Sequence, residues 1–437
     1  MIHSAAWWVV LSLAQIPDEE RAVRPVADRV EALEEEVDIL KERLLQSEAR
    51  AKEATERVRL RGYVDVGFFV PTGNGTGIMA DVGNRYFPEH AGRFGWVFLG
   101  DLYAPMVNSR GEAADLGSLP GSNRFDSIRS RGAPGFLINE ANLNVVAGLS
   151  DRLLSQISVT VVPRNGAEFG WGDFFHVDIA QLEWLPTQSG KTSVFVGKFE
   201  SVIGIEYRER RAAQRFGITP SLIQRYTSGT PIGLKVRSKF LSDRLVVALS
   251  VTNGSSVIEP FHFYNELDTN AAKTVSGRLS VRPPLPWGLD LELGISAMAG
   301  AQDLSRVSTR LQWFVGVDGL LTFRDFVLKA QWLLGRAPGS PDEGVYGLHL
   351  KGSGYLEANW MFIPWLGALV RGEYRDALVW LSDERLYLTK SFRATTGLRA
   401  VLNEHVVLKA EYLFNGEFGG IPSIPNDIFT SSLVATF

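Results

Sequence analysis

The chain has 437 residues, 45% hydrophobic and 22% charged, which is enough apolar content for a large folded core and too much for a disordered chain. Its 45 Lys and Arg against 49 Asp and Glu argue against a dedicated nucleic-acid binder, and the absence of Cys excludes disulfides, thiolate metal sites and cysteine nucleophiles. No run of about 18 apolar residues occurs, so a transmembrane helix is excluded; a transmembrane β-barrel is not, because alternating strands average out in a hydropathy window.

Residues 1–14 read as a signal peptide. Ala5 to Leu13 is its apolar segment and Ser12-Leu13-Ala14 offers small residues for cleavage before Gln15, although the first residues hold His3 and no Lys or Arg. Residues 15–58 read as a periplasmic α-helical coiled-coil segment. Its a positions are Val23, Val30, Val37, Leu44, Ala51 and Val58, and its d positions are Val26, Leu33, Leu40, Ser47 and Ala54. A single amphipathic helix lying on another surface is the alternative.

From Arg59 the period becomes two. Residues 59–70 place Val64, Val66 and Phe68 on one face and Tyr63 and Asp65 on the other. Fifteen further alternating segments follow, near 136–147, 153–162, 174–185, 191–199, 230–240, 243–252, 274–283, 288–298, 307–317, 326–336, 345–362, 366–380, 391–402, 405–415 and 428–437. Each can cross a bilayer core when tilted, which takes about 9–11 residues. The connections alternate short and long, as in an outer-membrane barrel. Residues 59–437 are therefore predicted to form an all-β, 16-stranded antiparallel transmembrane barrel. Phe94 to Tyr103 is assigned to the first long loop, with 18 strands as the alternative. Trp184, Trp287 and Trp365 fall at the short-turn side, where an aromatic girdle belongs. The terminal Phe437 resembles the signal read by the outer-membrane assembly machinery.

One face of residues 230–240 carries Lys235, Arg237 and Lys239, and the other Ile232, Leu234, Val236 and Phe240. The basic row is expected to line the lumen. Arg278, Lys329, Lys351, Arg371, Arg393 and Lys409 are expected to join it, opposed by fewer acids: Asp65, Glu140, Asp178, Glu292, Glu357, Glu373 and Glu411 among them. A basic lumen predicts anion preference. The competing reading is that these charges pair across strands and stiffen the wall. Residues 200–229 are too long for a plain connector and carry Arg208, Arg210, Arg211, Arg215 and Arg225. Folded into the barrel, they would narrow it, and arginine suits oxyanions through its planar fork.

The stretch Val196 to Val236 (VGKFESVIGIEYRERRAAQRFGITPSLIQRYTSGTPIGLKV) resembles the phosphate-selective porin O and P family at its V-G-K-F strand, G-x-E and arginine-bearing constriction loop. That resemblance implies a homotrimeric porin of the Gram-negative outer membrane, with Lys198, Arg208, Arg211, Arg215 and Arg225 as the matching phosphate or anion ladder. The expected function is passive diffusion of small solutes with an anion bias. A sugar or cation porin and a structural tether are the rivals. Expected partners are the bilayer, lipopolysaccharide and, through the coiled coil, peptidoglycan; no nucleic acid or cofactor is expected.

No enzyme is predicted. The six histidines show no H-x-x-x-H spacing, and the glycines of T-G-N-G-T-G at 72–77 lack a G-K-[ST] ending. His349 and Ser353, read as inward, invite a lipase comparison without an evident triad. Glu266 and Asp268 suggest at most a Ca²⁺-binding loop.

Overall fold

A computed structural model describes residues 58–71, 106–108, 135–161, 175–227, 229–253, 271–302, 310–338, 347–382, 385–418 and 427–437. Sixteen strands form the ring: β1 (Val58–Pro71), β2 (Gly135–Ser150), β3 (Leu153–Val161), β4 (Phe175–Trp184), β5 (Thr192–Lys198), β6 (Ile232–Phe240), β7 (Leu245–Thr252), β8 (Thr274–Val281), β9 (Asp290–Gln302), β10 (Arg310–Phe323), β11 (Phe326–Ala337), β12 (Gly347–Ile363), β13 (Leu366–Ser382), β14 (Arg385–Asn403), β15 (Val406–Glu417) and β16 (Ile428–Thr436). Each pairs antiparallel with its neighbours, and β1 pairs with both β2 and β16, so the sheet has no free edge. A three-residue strand, Met106–Asn108, adds to the outer end of β14 at Arg385–Tyr387 and stands outside the ring.

The ring closes on the chain's last residue. Gly62 N–H donates to Phe437 O and Phe437 N–H to Gly62 O, both at 2.9 Å. A Cβ on Gly62 would stand 2.4 Å from the Phe437 ring, so the seam needs glycine there.

Val58 opens β1, opposite Ala147, rather than closing a helix. The signal peptide and the remaining coiled-coil positions, 1–57, lie outside the described residues. Among the described residues helical structure is confined to the single turns Glu206–Glu209 and Gln224–Thr227. Among the described residues the fold class is accordingly corrected to a closed all-β barrel, with no coiled-coil segment among them. The expected long connection at 381–390 is also corrected: β13 and β14 run on until only 383–384 separates them. The Phe94–Tyr103 segment lies outside the described residues.

Side chains on the outer face such as Leu234, Leu249, Ile295, Val315, Val370 and Leu398 are apolar and exposed, as only a lipid-facing surface tolerates over such an area. Trp184, Trp287, Trp360 and Trp365 ring the short-turn end, exposed as the girdle reading requires. A second aromatic ring lies toward the other end. Trp332 stacks on Tyr374 (5.9 Å between centroids), and Tyr374 on Phe418 (5.1 Å).

Strict alternation would put His349 and Lys351 in the lumen. The structure puts both outside, because the register shifts between Leu350 and Gly352. Leu348 and Leu350 point inward in their place, and phase is restored at Ser353.

Candidate functional site

The connection between β5 and β6 enters the barrel. Its root continues the hairpin ladder, with Phe199 N–H donating to Pro231 O at 3.1 Å and Ser201 N–H to Gly229 O at 3.0 Å. Beyond this the loop crosses the lumen, and inward side chains of distant strands take up its backbone groups. The Glu411 carboxylate of β15 accepts from Ile218 N–H (2.6 Å), Thr219 N–H (3.0 Å) and the Thr219 hydroxyl (2.7 Å). Lys409 donates to the carbonyls of Ala212, Arg215 and Gly217. Glu373 of β13 accepts from Leu222 N–H, Arg371 donates to Thr219 and Pro220 carbonyls, and Arg399 donates to Arg215 and Phe216 carbonyls. On β2, Glu140 accepts from Ala212 N–H and the Tyr63 hydroxyl. A buried backbone without such partners would be costly, so the wall charges are what permit the loop to sit inside.

Packing supplements these bonds. Ile205 packs with Leu320 and Val327, and Ala212 with Tyr63 and Val434 at the β1–β16 seam. Gly204 has φ +71° and lies so close to Gln331 that a Cβ would overlap its amide, while Ile205 N–H donates to the Gln331 side chain at 3.1 Å. Within the loop, Glu206 accepts from Ser221 N–H at 2.8 Å and from its hydroxyl. Burial pushes the Glu206 carboxyl up to about 7, against the lowering effect of the Ser221 donors.

One ion-pair cluster is centred on Glu292 of β9. Arg208 of the loop meets it with both ends of its fork, at 2.7 and 3.0 Å. Arg278 and Arg282 also donate to Glu292, at 2.7 and 2.9 Å, and Arg278 reaches Asp318. On β11, Lys329 joins Glu209 of the loop and Glu357 of β12.

The wall of β2 to β4 differs. Asn142 donates to Ser158 and Thr160, Thr160 to Asp178, Gln156 to Asn144 and Gln181 to Gln156. These groups bond mainly to one another, and the loop reaches them through Arg210 and Asp178 at 3.4 Å. On β6, Lys235, Arg237 and Lys239 are half-buried. Lys235 lies 4.5 and 4.8 Å from the ring centroids of Phe195 and Phe199, and donates to Glu200 O.

The predicted site residues therefore divide. Arg208 and Arg278 belong to the Glu292 cluster, Arg215 is buried and donates to Arg210 O, and Arg393 is buried against Asn415. Lys198 is buried at the end of β5, and Arg211 is half-buried in the loop. Arg225 falls in the turn Gln224–Thr227, and its side chain lies outside the described residues. Sequence reasoning overlooked Asp318. Asp318 alternates with inward Phe314, Leu320 and Thr322 on β10, a signal that was available. His349 faces outward while the Ser353 hydroxyl donates to Tyr374 O, which separates the lipase-like pair. Glu266 and Asp268 lie outside the described residues, among which no three His, Asp or Glu are placed to hold a metal.

A family model described as "Putative beta-barrel porin-2, OmpL-like" matches residues 139–415. This replaces the resemblance to the phosphate-selective porin O and P family, of whose matching bases Arg208 is held by Glu292 of the wall. No curated protein sequence matches the chain. Similar solved structures include Pseudomonas putida OprB at high pH (7% identity, TM-score 0.53, covering 87% of this chain and 94% of that one). Salmonella typhi OmpF in complex with daunomycin is 9% identical, with TM-score 0.53 and coverage of 87% and 97%. The anion-selective porin from Comamonas acidovorans is 9% identical, with TM-score 0.50 and coverage of 87% and 99%. At these identities the likeness is one of fold.

Proposed function

The chain belongs to the beta-barrel porin-2, OmpL-like family, and from that premise we propose that it is an outer-membrane diffusion channel constricted by the loop 199–231 and biased toward anions. Small solutes pass between the inserted loop and the wall. The bias is supported by the balance of the more accessible lumen charges. Glu140, Asp178, Glu292, Glu357, Glu373 and Glu411 are buried in the anchoring of loop and wall, together with the bases Arg278, Lys329, Arg371 and Lys409. Lys235, Arg237, Lys239, Arg282 and Arg399 are half-buried, against the half-buried acids Glu183, Glu200 and Asp290. The charge a passing ion meets is thus more basic than the chain's composition. At an effective dielectric of about 20, a charge at contact is worth up to about 4 kcal/mol to an ion, and about 0.1 M salt screens it beyond about 10 Å.

The test is a reversal potential across a planar bilayer under a low-salt gradient. The wild type should favour the anion. Lys235→Glu, Arg237→Glu and Lys239→Glu together should move the potential toward the cation side with the pore still open. An unchanged potential would put the row outside the conduction path and remove the anion bias. Absence of conductance in the wild type would remove the channel reading itself.

A further inference from the structure

The outer face of β11 to β14 carries a feature that conduction does not use. Arg336, His349 and Lys351 are exposed there and Lys390 is half-buried. Arg336 lies directly opposite His349 across the β11–β12 pair. On the next two strands Gly352 aligns with Asp376, and Asp376 with Lys390. Asp376 is the one acid on this patch among the described residues. The bases span four neighbouring strands, roughly 15 Å at about 4.8 Å per strand.

Their height is set by the aromatic ring beneath them. Gly352 and Gly354 leave room for the Trp332 indole to lie on the sheet, where it begins the Trp332–Tyr374–Phe418 stack. Arg336 follows Trp332 by two outward positions, and Lys390 precedes outward Phe392 by one. At about 3.3 Å per residue the bases stand roughly 7–13 Å beyond the aromatic belt. Aromatic belts mark the edge of the hydrocarbon, so this height is the headgroup layer. The same end of β1 and β2 instead presents an aromatic pair, Phe68 and Phe136, packed at 4.8 Å.

We propose that Arg336, Lys351 and Lys390 form a binding site for the phosphorylated headgroup of an outer-leaflet glycolipid of the lipopolysaccharide type. The guanidinium donates a paired hydrogen bond to phosphate oxygens, and the two ammonium groups add point charges. The Trp332–Tyr374–Phe418 stack packs against the acyl chains below. The proposal rests on the orientation implied by the channel reading, with the short turns in the periplasm.

The test uses the full chain purified in detergent, wild type and the triple variant Arg336→Gln, Lys351→Gln, Lys390→Gln, with bis-phosphorylated lipid A as probe. Each base near an anionic lipid surface is worth roughly fivefold, so the triple variant should bind on the order of a hundredfold more weakly. Dephosphorylated lipid A should bind both proteins equally poorly. Equal binding of lipid A to variant and wild type would overturn the site. So would inorganic phosphate binding as tightly as lipid A, which would make it a free-anion site. Conductance should be unchanged in the variant, showing an intact barrel. Orientation is read separately. The chain has no Cys, and Ser242→Cys should resist an impermeant reagent in intact cells. Labelling there would overturn the orientation but leave lipid binding in detergent as measured.

Discussion

The wall of β9 to β15 and the wall of β2 to β4 are both polar toward the lumen, yet they are built differently. The first carries full charges, most of them tied to the loop or to a neighbouring charge, with Glu292 only 1% exposed amid three arginines. The second, beside the loop-bound carboxylates Glu140 and Asp178, is built mainly of amides and hydroxyls that bond to one another along the wall. An inward charge in a barrel is thus not automatically part of the conduction path. Where a second segment is pressed against it, it becomes scaffold.

If that distinction holds, the largest effect belongs to Glu292→Ala. It would leave Arg208, Arg278 and Arg282 facing one another without their shared carboxylate. Removing one partner of a buried ion pair costs about 3–5 kcal/mol. The thermal midpoint in detergent should fall, and single-channel conductance should rise as the loop comes away. A variant with wild-type midpoint and conductance would mean that the loop is held elsewhere.

A smaller effect is expected from pH. Glu206 has its folded-state pKa raised from 4.5 to about 7. The packed loop therefore binds this proton more tightly than the released loop does. Its contribution is fully present below about 4.5, declines as pH rises through the window to about 7, and is constant above it. Each pH unit inside the window is worth about 1.4 kcal/mol at most. Conductance noise from loop release should therefore increase between pH 5 and 7, and Glu206→Gln should flatten that dependence. An identical pH profile in the variant would assign the effect to another group.

The smallest effect is expected on the other wall. Gln156→Ala removes bonds to Asn144 and Gln181 at partly buried positions, which should cost no more than about 1 kcal/mol of stability. A loss as large as that of Glu292→Ala would erase the difference between the walls.

The strands were legible because a barrel wall enforces a period of two over its whole length. The alternation located all sixteen, and the Trp residues located one interface. Three features were not legible, each for a physical reason. The bulge at Lys351 exchanges faces without changing composition, so His349 and Lys351 were read on the wrong side. The extension of β13 and β14 toward each other uses residues such as Thr389 and Lys390, which are equally at home in a loop. The role of each lumen charge depends on partners far away in the chain: Glu411 binds Ile218 and Thr219 across 193 and 192 positions. Period and composition show that Arg208 and Lys235 are basic residues near a constriction. They do not show that one is held by Glu292 while the other rests over Phe195 and Phe199.

The seam between Gly62 and Phe437 has a consequence for assembly. Hydrogen bonds that zip β1 to β16, such as Thr430 to Phe68 O, join residues 362 positions apart. Contacts of such high contact order form late, because the intervening chain must be organised first. Until the final residues are in place, the nascent sheet has two unpaired edges, and exposed edges recruit other strands. The last strand is therefore both the end of the chain and the lid on its aggregation risk: truncation by even a few C-terminal residues should leave a curled sheet rather than a slightly smaller pore.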